Sequence, residues 1–439
     1  MAWDFSTEPE FEEHLAWMRE LVRDEIWPIE TIDEELDQTT LDRIYAPLQE
    51  QVKERGLWAA HLPPELGGQG FGQLKLGLMH EILGTSTYAP NAFGCQQPDS
   101  GNGEILALAG TPEQKERWLH PLLAGDLKSA FSMTEPETPG SDPTQLATRA
   151  VRDGDGYVIN GHKWYSSNGS IADFLIVMAV TDPDAPPHKR ASMFVVPVTT
   201  PGVQIVRDVG TMEHPESRFG MLGGHTEIVY DDVRVGRDAL LGEEGEGFVI
   251  AQHRLVPGRI HHCMRWLGIA QRAFDMMCER SLYRPVRGGL LRDKQTAQNW
   301  IADSSIQIQA ARLMTLHAAW KIDTQGSSAA RVDVSRIKVF GAQMLYDVVD
   351  RALQLHGGLG FSTDMPLEAM YRFARHARFV DGADEVHRES IARQILKGYQ
   401  APEDRVPTEY VPVRREQARL KFAGVLDALA LDEPGVVAS

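Results

Sequence analysis

Thr148-Arg149-Ala150-Val151-Arg152-Asp153-Gly154-Asp155-Gly156-Tyr157-Val158-Ile159 decides the fold. Two short runs with β-branched residues flank alternating Asp and Gly, the chemistry of a tight hairpin turn. Further strand signals follow at Asp173–Thr181, Ser192–Val198 and Thr226–Val235, with a loop at Pro183-Asp184-Ala185-Pro186-Pro187. The longest apolar run, Phe174 to Val180, has the length of a strand and not of a membrane helix. Residues 131–242 therefore read as a small antiparallel β-barrel or sandwich.

Both flanks read as helix. In residues 1–130, Leu15, Met18, Leu21 and Val22 recur at helical spacing until Pro28, and Leu41, Ile44, Leu48 and Val52 form a second stripe. Pro63-Pro64 and Gly67-Gly68-Gln69-Gly70 break the chain. Thr111-Pro112-Glu113 reads as an N-cap with proline at the first helical position, opening a helix that ends near Gly125. Residues 243–400 hold long apolar stripes, the clearest being Val334, Ile337, Gly341, Met344, Val348, Ala352 and Leu355. With segments near 247–283, 294–323 and 384–399 they predict a four-helix bundle. Residues 401–439 form an extension. The fold class is α+β: helical, then β, then helical.

Composition narrows the function. The chain has 439 residues, with 62 acidic against 44 basic side chains and a net charge of −18. That balance argues against nucleic-acid binding, which needs basic patches. The cysteines Cys95, Cys263 and Cys278 are too few for a disulfide framework. No basic, apolar leader opens Met1-Ala2-Trp3-Asp4-Phe5-Ser6, so a cytoplasmic protein without a membrane span is expected. There is no dinucleotide glycine fingerprint, no phosphate-binding lysine loop and no Gly-x-Ser-x-Gly elbow. His80-Glu81 lacks the second histidine of a zinc helix. His261-His262 are neighbours that point in different directions on a helix, so a packed pair is expected and no metal ligand set is assigned.

Five motifs in order carry a resemblance: Met133-Thr134-Glu135-Pro136 with Gly140-Ser141-Asp142; Asn160-Gly161-His162-Lys163-Trp164-Tyr165-Ser166-Ser167-Asn168-Gly169; Leu241-Gly242-Glu243 with Gly245 and Gly247-Phe248; Gln354-x-His356-Gly357-Gly358; and Tyr371-Arg372 to Arg388. Over residues 50 to 400 they resemble the acyl-CoA dehydrogenase family. The branch that uses an aspartate base, which includes the acyl-CoA dehydrogenase eleven-like proteins, is the most similar.

The resemblance implies bound FAD. Phe131, Met133, Thr134, Trp164, Tyr165, Ser166 and Ser167 would face the flavin, with Thr134 and Ser167 supplying donors and the two aromatic rings a wall. Each could instead be an ordinary strand or core residue. Arg284 and Gln295 keep the family's spacing, and with Gln354, Gly357, Gly358, Ala383 and Glu385 would hold the rest of the cofactor, partly from a neighbouring chain. A homodimer or homotetramer follows. Ser141, Arg259 and Gly382 would line the acyl-CoA substrate.

Asp381 is the implied catalytic base. It would take the α-proton as a hydride leaves for the flavin, giving a trans-2-enoyl-CoA, with an electron-transferring flavoprotein as acceptor. Burial under the acyl chain should raise its pKa. Gly258 occupies the family's other base position and cannot serve. Val256, Val286, Arg287 and Ala383 depart from the family pattern, and the shorter base suits longer, branched or hydroxylated acyl chains. Two rivals keep the fold: a flavin oxidase such as acyl-CoA oxidase or nitroalkane oxidase, and a non-catalytic helical assembly protein.

Overall fold

The computed structural model describes residues 6–66, 68–403 and 405–431. The acidic start up to Phe5, Gly67 of the glycine run and the end of the predicted extension lie outside the described residues. The chain forms two compact units, one reaching Ser390 and one beginning at Ile391. The divisions read from sequence near 130 and 242 mark changes of element type inside the first unit, and the second unit begins before the bundle boundary expected at 400. No helix among the described residues is long and apolar enough to cross a membrane.

The first helical block comprises α1 (Pro9–Leu21), α2 (Gln38–Glu54), α3 (Gly72–Leu83), α4 (Ala89–Ala92), α5 (Asp99–Ala109), α6 (Pro112–Gln114) and α7 (His120–Ala124). Local chemistry sets several ends. The Asp37 carboxylate accepts from Thr40 N–H at 2.7 Å and caps α2. Thr111 and Gln114 form a reciprocal capping box at α6, with Pro112 at the first turn. Gly125 takes the left-handed conformation that ends α7.

Strands β1 (Ser129–Ser132), β2 (Arg149–Asp153), β3 (Gly156–Ser167), β4 (Phe174–Val180), β5 (Ala191–Pro197), β6 (Val203–Asp208), β7 (His225–Val235) and β8 (Leu240–Leu241) form one sheet. Their order is β6-β7-β3-β2-β4-β5-β8, with β1 beside β4. The hairpin pairs Asp153 with Gly156, as its turn residues predict. The sheet is not wholly antiparallel: β1 runs parallel to β4, and β2 meets β4 in parallel at one pair. A parallel neighbour needs a long crossover, and the chain from β1 to β4 passes through the β2–β3 hairpin. The edge strand β6, unpredicted, alternates half-buried and exposed residues.

β4 explains its own sequence. Phe174, Ile176, Met178 and Val180 pack with Ile105, Leu119 and Ile250 from the helices. The alternate Leu175, Val177 and Ala179 pack inside the sheet with Phe194 and Tyr230. A strand buried on both faces reads as an unbroken apolar run.

The last block holds α8 (Gly247–Tyr283), a small ribbon of β9 (Pro285–Val286) and β10 (Gly289–Leu290), α9 (Gln295–Gln325), α10 (Arg331–His356), α11 (Gly358–Phe361), α12 (Leu367–His376) and α13 (Asp384–Leu396). The expected fourth long helix is the 13-residue α13. α3 packs on α8 and α9 instead, and α12 packs on α10. The second unit contains α14 (Val411–Lys421) and α15 (Ala423–Leu431).

One buried ion pair fixes the sheet where two motifs meet. Lys163 Nζ donates to Glu135 Oε1 at 2.8 Å and to the Met133 carbonyl at 2.7 Å. Both side chains are fully buried, at 0% and 2% exposure. Ala147 and Thr148 N–H groups satisfy the remaining carboxylate capacity. Burial works against the Glu135 charge, yet Lys163 and these donors hold its pKa down to about 2. Burial likewise lowers Lys163, to about 8.

Breaking this pair from one side leaves a buried charge alone. Lys163→Met is expected to cost ~3–5 kcal/mol in urea unfolding, with much of it recovered in the Glu135→Gln/Lys163→Met double variant. Glu135 contributes stability above its ordinary 4.5 that is lost as pH falls toward 2. Glu135→Gln should therefore flatten the acid limb of the stability curve across that window.

Candidate active site

Asp381 lies between α12 and α13, in a turn with two successive positive φ angles: +53° at Asp381 and +102° at Gly382. Such backbone at a residue with a Cβ costs ~1–3 kcal/mol and persists only where its surroundings enforce it. They do so here. Arg259 donates to the Asp381 carbonyl from Nε at 3.2 Å and Nη2 at 3.0 Å. His387 Nε2 lies 3.2 Å from the same oxygen, and its Nδ1 lies 3.3 Å from Ser335 Oγ. A Cβ on Gly382 would stand 3.0 Å from His387 Nε2, so glycine fits this place doubly. Asp384, at the start of α13, is fully buried with Lys338 at 3.4 Å and Arg378 at 2.9 Å.

The Asp381 carboxylate is 22% exposed, and its Oδ2 lies 3.3 Å from His262 Nε2. Burial pushes this carboxyl upward, but interaction with His262 and with the charges of Arg259, Arg254 and Lys338 outweighs burial and holds its pKa below the ordinary value. Arg259 directs its guanidinium at the Asp381 backbone carbonyl.

Arg254 sits beside this pocket. It donates to Asn102 Oδ1 at 3.3 Å and Gln97 Oε1 at 3.2 Å, and its guanidinium lies 4.2 Å over the Phe131 ring. A Cβ on Gly101 would come within 2.8 Å of Arg254 Nε, so α5 can approach only with glycine there. Glu104, also near Arg254, is pushed by burial to about 8 and is neutral at neutral pH. The wall between α5 and α8 is polar. Pro257 inside α8 removes one ladder N–H next to these arginines.

The sheet brings the flavin-facing candidates together. Trp164 N–H donates to the Thr134 carbonyl at 3.0 Å, joining the two motifs beside the Glu135–Lys163 pair. The β3–β7 register shifts between Lys163 and Ser166, and Tyr165 has φ +51°. This bulge lifts Tyr165 to 45% exposure beside half-buried Trp164, ring centroids 4.9 Å apart. The Ser167 hydroxyl meets His225 Nδ1 at 2.9 Å. Beyond it Glu213 faces His376, and Arg372 donates to the Glu213 carbonyl at 2.6 Å, tying this strand end to α12 and the Asp381 turn. Ser166 is fully buried and its hydroxyl donates to Ser132 Oγ at 3.1 Å, inside the sheet. Ser141 is exposed on its loop.

The other cofactor candidates gather elsewhere. Gln307 bonds Asp347 at 3.0 Å and Lys321 bonds Asp333 at 2.8 Å, so α9 runs antiparallel to α10. Lys338 stands over Trp266 at 5.7 Å and Arg280 neighbours His356, so α8 and α10 run the same way. Arg284, Gln295, Gln354, Gly357 and Gly358 are therefore together at one end of the bundle, all exposed. Along α8 the path from Arg259 to Arg284 is about 37 Å at 1.5 Å per residue. Ala383 stays in the Asp381 turn, and exposed Glu385 lies 3.9 Å from Arg388.

FAD fits this donor set: an exposed aromatic wall, hydroxyls at Thr134 and Ser167, and an exposed arginine with open glycines for a pyrophosphate. Nothing stands within 4 Å of a Cβ on Gly357 or Gly358, so that backbone is open to close approach. No group of three or more metal-ligating side chains exists among the described residues. His261 instead stacks on His80 at 4.2 Å, while His262 turns to Asp381. Sequence reasoning did not assign roles to Arg254, His262 or His387. The spacing of Arg259 and His262 at i and i+3, which puts both on one helix face, is the signal that could have found the second.

Comparisons with known proteins agree with this architecture. Three family models match: acyl-CoA dehydrogenase N-terminal domain over residues 8–126, middle domain over 130–233 and C-terminal domain over 245–396. Acyl-CoA dehydrogenase family member 11 of Mus musculus is 42% identical over 80% of this chain, which spans only 44% of that longer protein. "Probable acyl-CoA dehydrogenase FadE2" of Mycobacterium tuberculosis is 45% identical over 81% of this chain and 86% of its own length. A solved Mycobacterium abscessus structure, described as an acyl-CoA dehydrogenase, is 40% identical with a TM-score of 0.83, covering 90% of this chain and all of that one. With its three successive blocks each matched and its Asp381 turn built as above, the chain belongs to the acyl-CoA dehydrogenase family.

Proposed function

We propose that this chain is an FAD-dependent acyl-CoA dehydrogenase in which Asp381 removes the α-proton of an acyl-CoA, yielding the trans-2-enoyl-CoA. The observation that carries this reading is the Asp381 carboxylate, fixed in a strained turn and paired with none of the arginines or the lysine around it. FAD, when bound, accepts the β-hydride, and an electron-transferring flavoprotein takes the electrons onward. The remaining work falls to the chain.

Among the described residues the Asp381 N–H has no hydrogen-bond partner, which leaves it available to polarise a thioester carbonyl. Arg259 and His387 keep the turn in place while the carboxylate accepts a proton. At rest the surrounding positive charge makes Asp381 a weak base. An acyl chain closing over it excludes water and raises its pKa toward that of the reaction it must catalyse. Arg254, Gln97, Asn102 and Glu104 make the wall beside it polar, which favours an acyl group with a hydroxyl or other polar substituent over a plain alkyl chain.

A second copy of the chain completes the cofactor site in this reading. Arg259, which holds the Asp381 turn, and Arg284 are about 37 Å apart along α8 at 1.5 Å per residue, too far for one extended dinucleotide within one chain. The bundle also exposes apolar side chains at that end, including Leu282, Tyr283 and Phe361.

Asp381→Asn is expected to slow flavin reduction by acyl-CoA ~10²–10⁴-fold while the protein still purifies with FAD; a rate within a few fold of the parent protein would reject the base. An Arg284→Glu chain should lose FAD. Mixing it with the Asp381→Asn chain should restore activity that neither has alone, because one of the two hybrid sites is intact. No recovery on mixing would contradict a shared site.

A further inference from the structure

We propose that His262 is a positioning residue for Asp381: its neutral imidazole donates Nε2–H to Asp381 Oδ2 and aims the carboxylate at the substrate. This deepens the reading of Asp381 as base and rests on it. The two atoms lie 3.3 Å apart, a separation that a small rotation of the imidazole turns into a hydrogen bond.

The cations around the carboxylate are committed elsewhere. Arg259 gives both donors to the Asp381 carbonyl. Arg254 is engaged by Asn102 and Gln97. Lys338 is paired with Asp384. Among the described residues, His262 is the direct side-chain partner of the carboxylate. A guanidinium in that place would form a bidentate pair, block both oxygens and leave no base. A single neutral donor fixes one oxygen and leaves the other free.

His262 is suited to neutrality. Burial lowers its pKa to about 4, with Arg265, His376 and Arg254 adding to that effect and Asp381 opposing it. The groups facing Asp381 are Arg254, Arg259, His262, Cys263 and Arg265 from α8, Lys338 from α10 and His387 from α13. His376 faces His262 from α12. Through neutral pH, His262 therefore presents one N–H and one lone pair, and its bond to a carboxylate selects the Nε2–H tautomer.

The test compares His262→Leu, which removes the donor, with His262→Gln, which keeps one, in FAD-loaded protein. In the Leu variant the acidic limb of kcat/KM for flavin reduction should move up by about one pH unit, the gain in a carboxylate's pKa when one charged hydrogen bond is lost. Its kcat should fall about tenfold or more with KM little changed, and the Gln variant should recover most of both. Independently of turnover, 15N spectra of histidine-labelled protein should show His262 as the neutral Nε2–H tautomer, with its signal displaced in Asp381→Asn. An unmoved acidic limb in His262→Leu, or an Nδ1–H or imidazolium state for His262, overturns the proposal. Should Asp381→Asn retain flavin reduction, the base assignment itself fails. If that variant is inactive while His262→Leu keeps the parent profile, only the role of His262 fails.

Discussion

A carboxylate ringed by cations remains a base only while none of them pairs with it directly. Asp381 meets that condition because each positive neighbour has another partner: Arg259 the Asp381 carbonyl, Arg254 two side-chain amides, Lys338 the buried Asp384. The field they create lowers the resting pKa, and their engagement elsewhere keeps the carboxylate's geometry open. The left-handed turn is the structural consequence. It points the carbonyl back at Arg259 and His387, and so turns the side chain the other way, toward His262.

The rest of the molecule holds that turn against the sheet. The buried Glu135–Lys163 pair clamps the Thr134 segment to β3. The bulge that follows lifts Tyr165 outward beside Trp164. The end of the same strand reaches α12 through His225, Glu213, His376 and Arg372, and α12 leads straight into Asp381. A distortion in the sheet would therefore move the Trp164–Tyr165 pair and the Asp381 turn together, the proposed flavin wall and the proposed base. Such coupling is what a reaction needs when a proton and a hydride must leave neighbouring carbons.

Much of the fold was legible because local chemistry expressed it. The unbroken apolar run of β4 follows from burial on both faces, the Asp-Gly turn from the hairpin, and Thr111-Pro112 from a capped helix start. The motif order marked Asp381 as a candidate. What stayed hidden was non-local. Arg259 and the Asp381 carbonyl are separated by 122 positions, and nothing in either segment states that one holds the other. The sign of the Asp381 pKa depends on cations from two helices, which no spacing rule sums. The parallel partner of β4 was missed because β1 is only four residues long. The burial of the Ser166 side chain stayed hidden as well, because it follows from the register shift in β3.

The most direct measurement is anaerobic titration of the purified yellow protein with acyl-CoAs graded in length, branching and hydroxylation. The visible flavin band is expected to bleach with formation of the enoyl-CoA, most strongly for acyl groups with a polar substituent. A flavin that stays oxidised with every acyl-CoA tried, or a protein that purifies colourless and takes up no FAD, would contradict the proposed reaction.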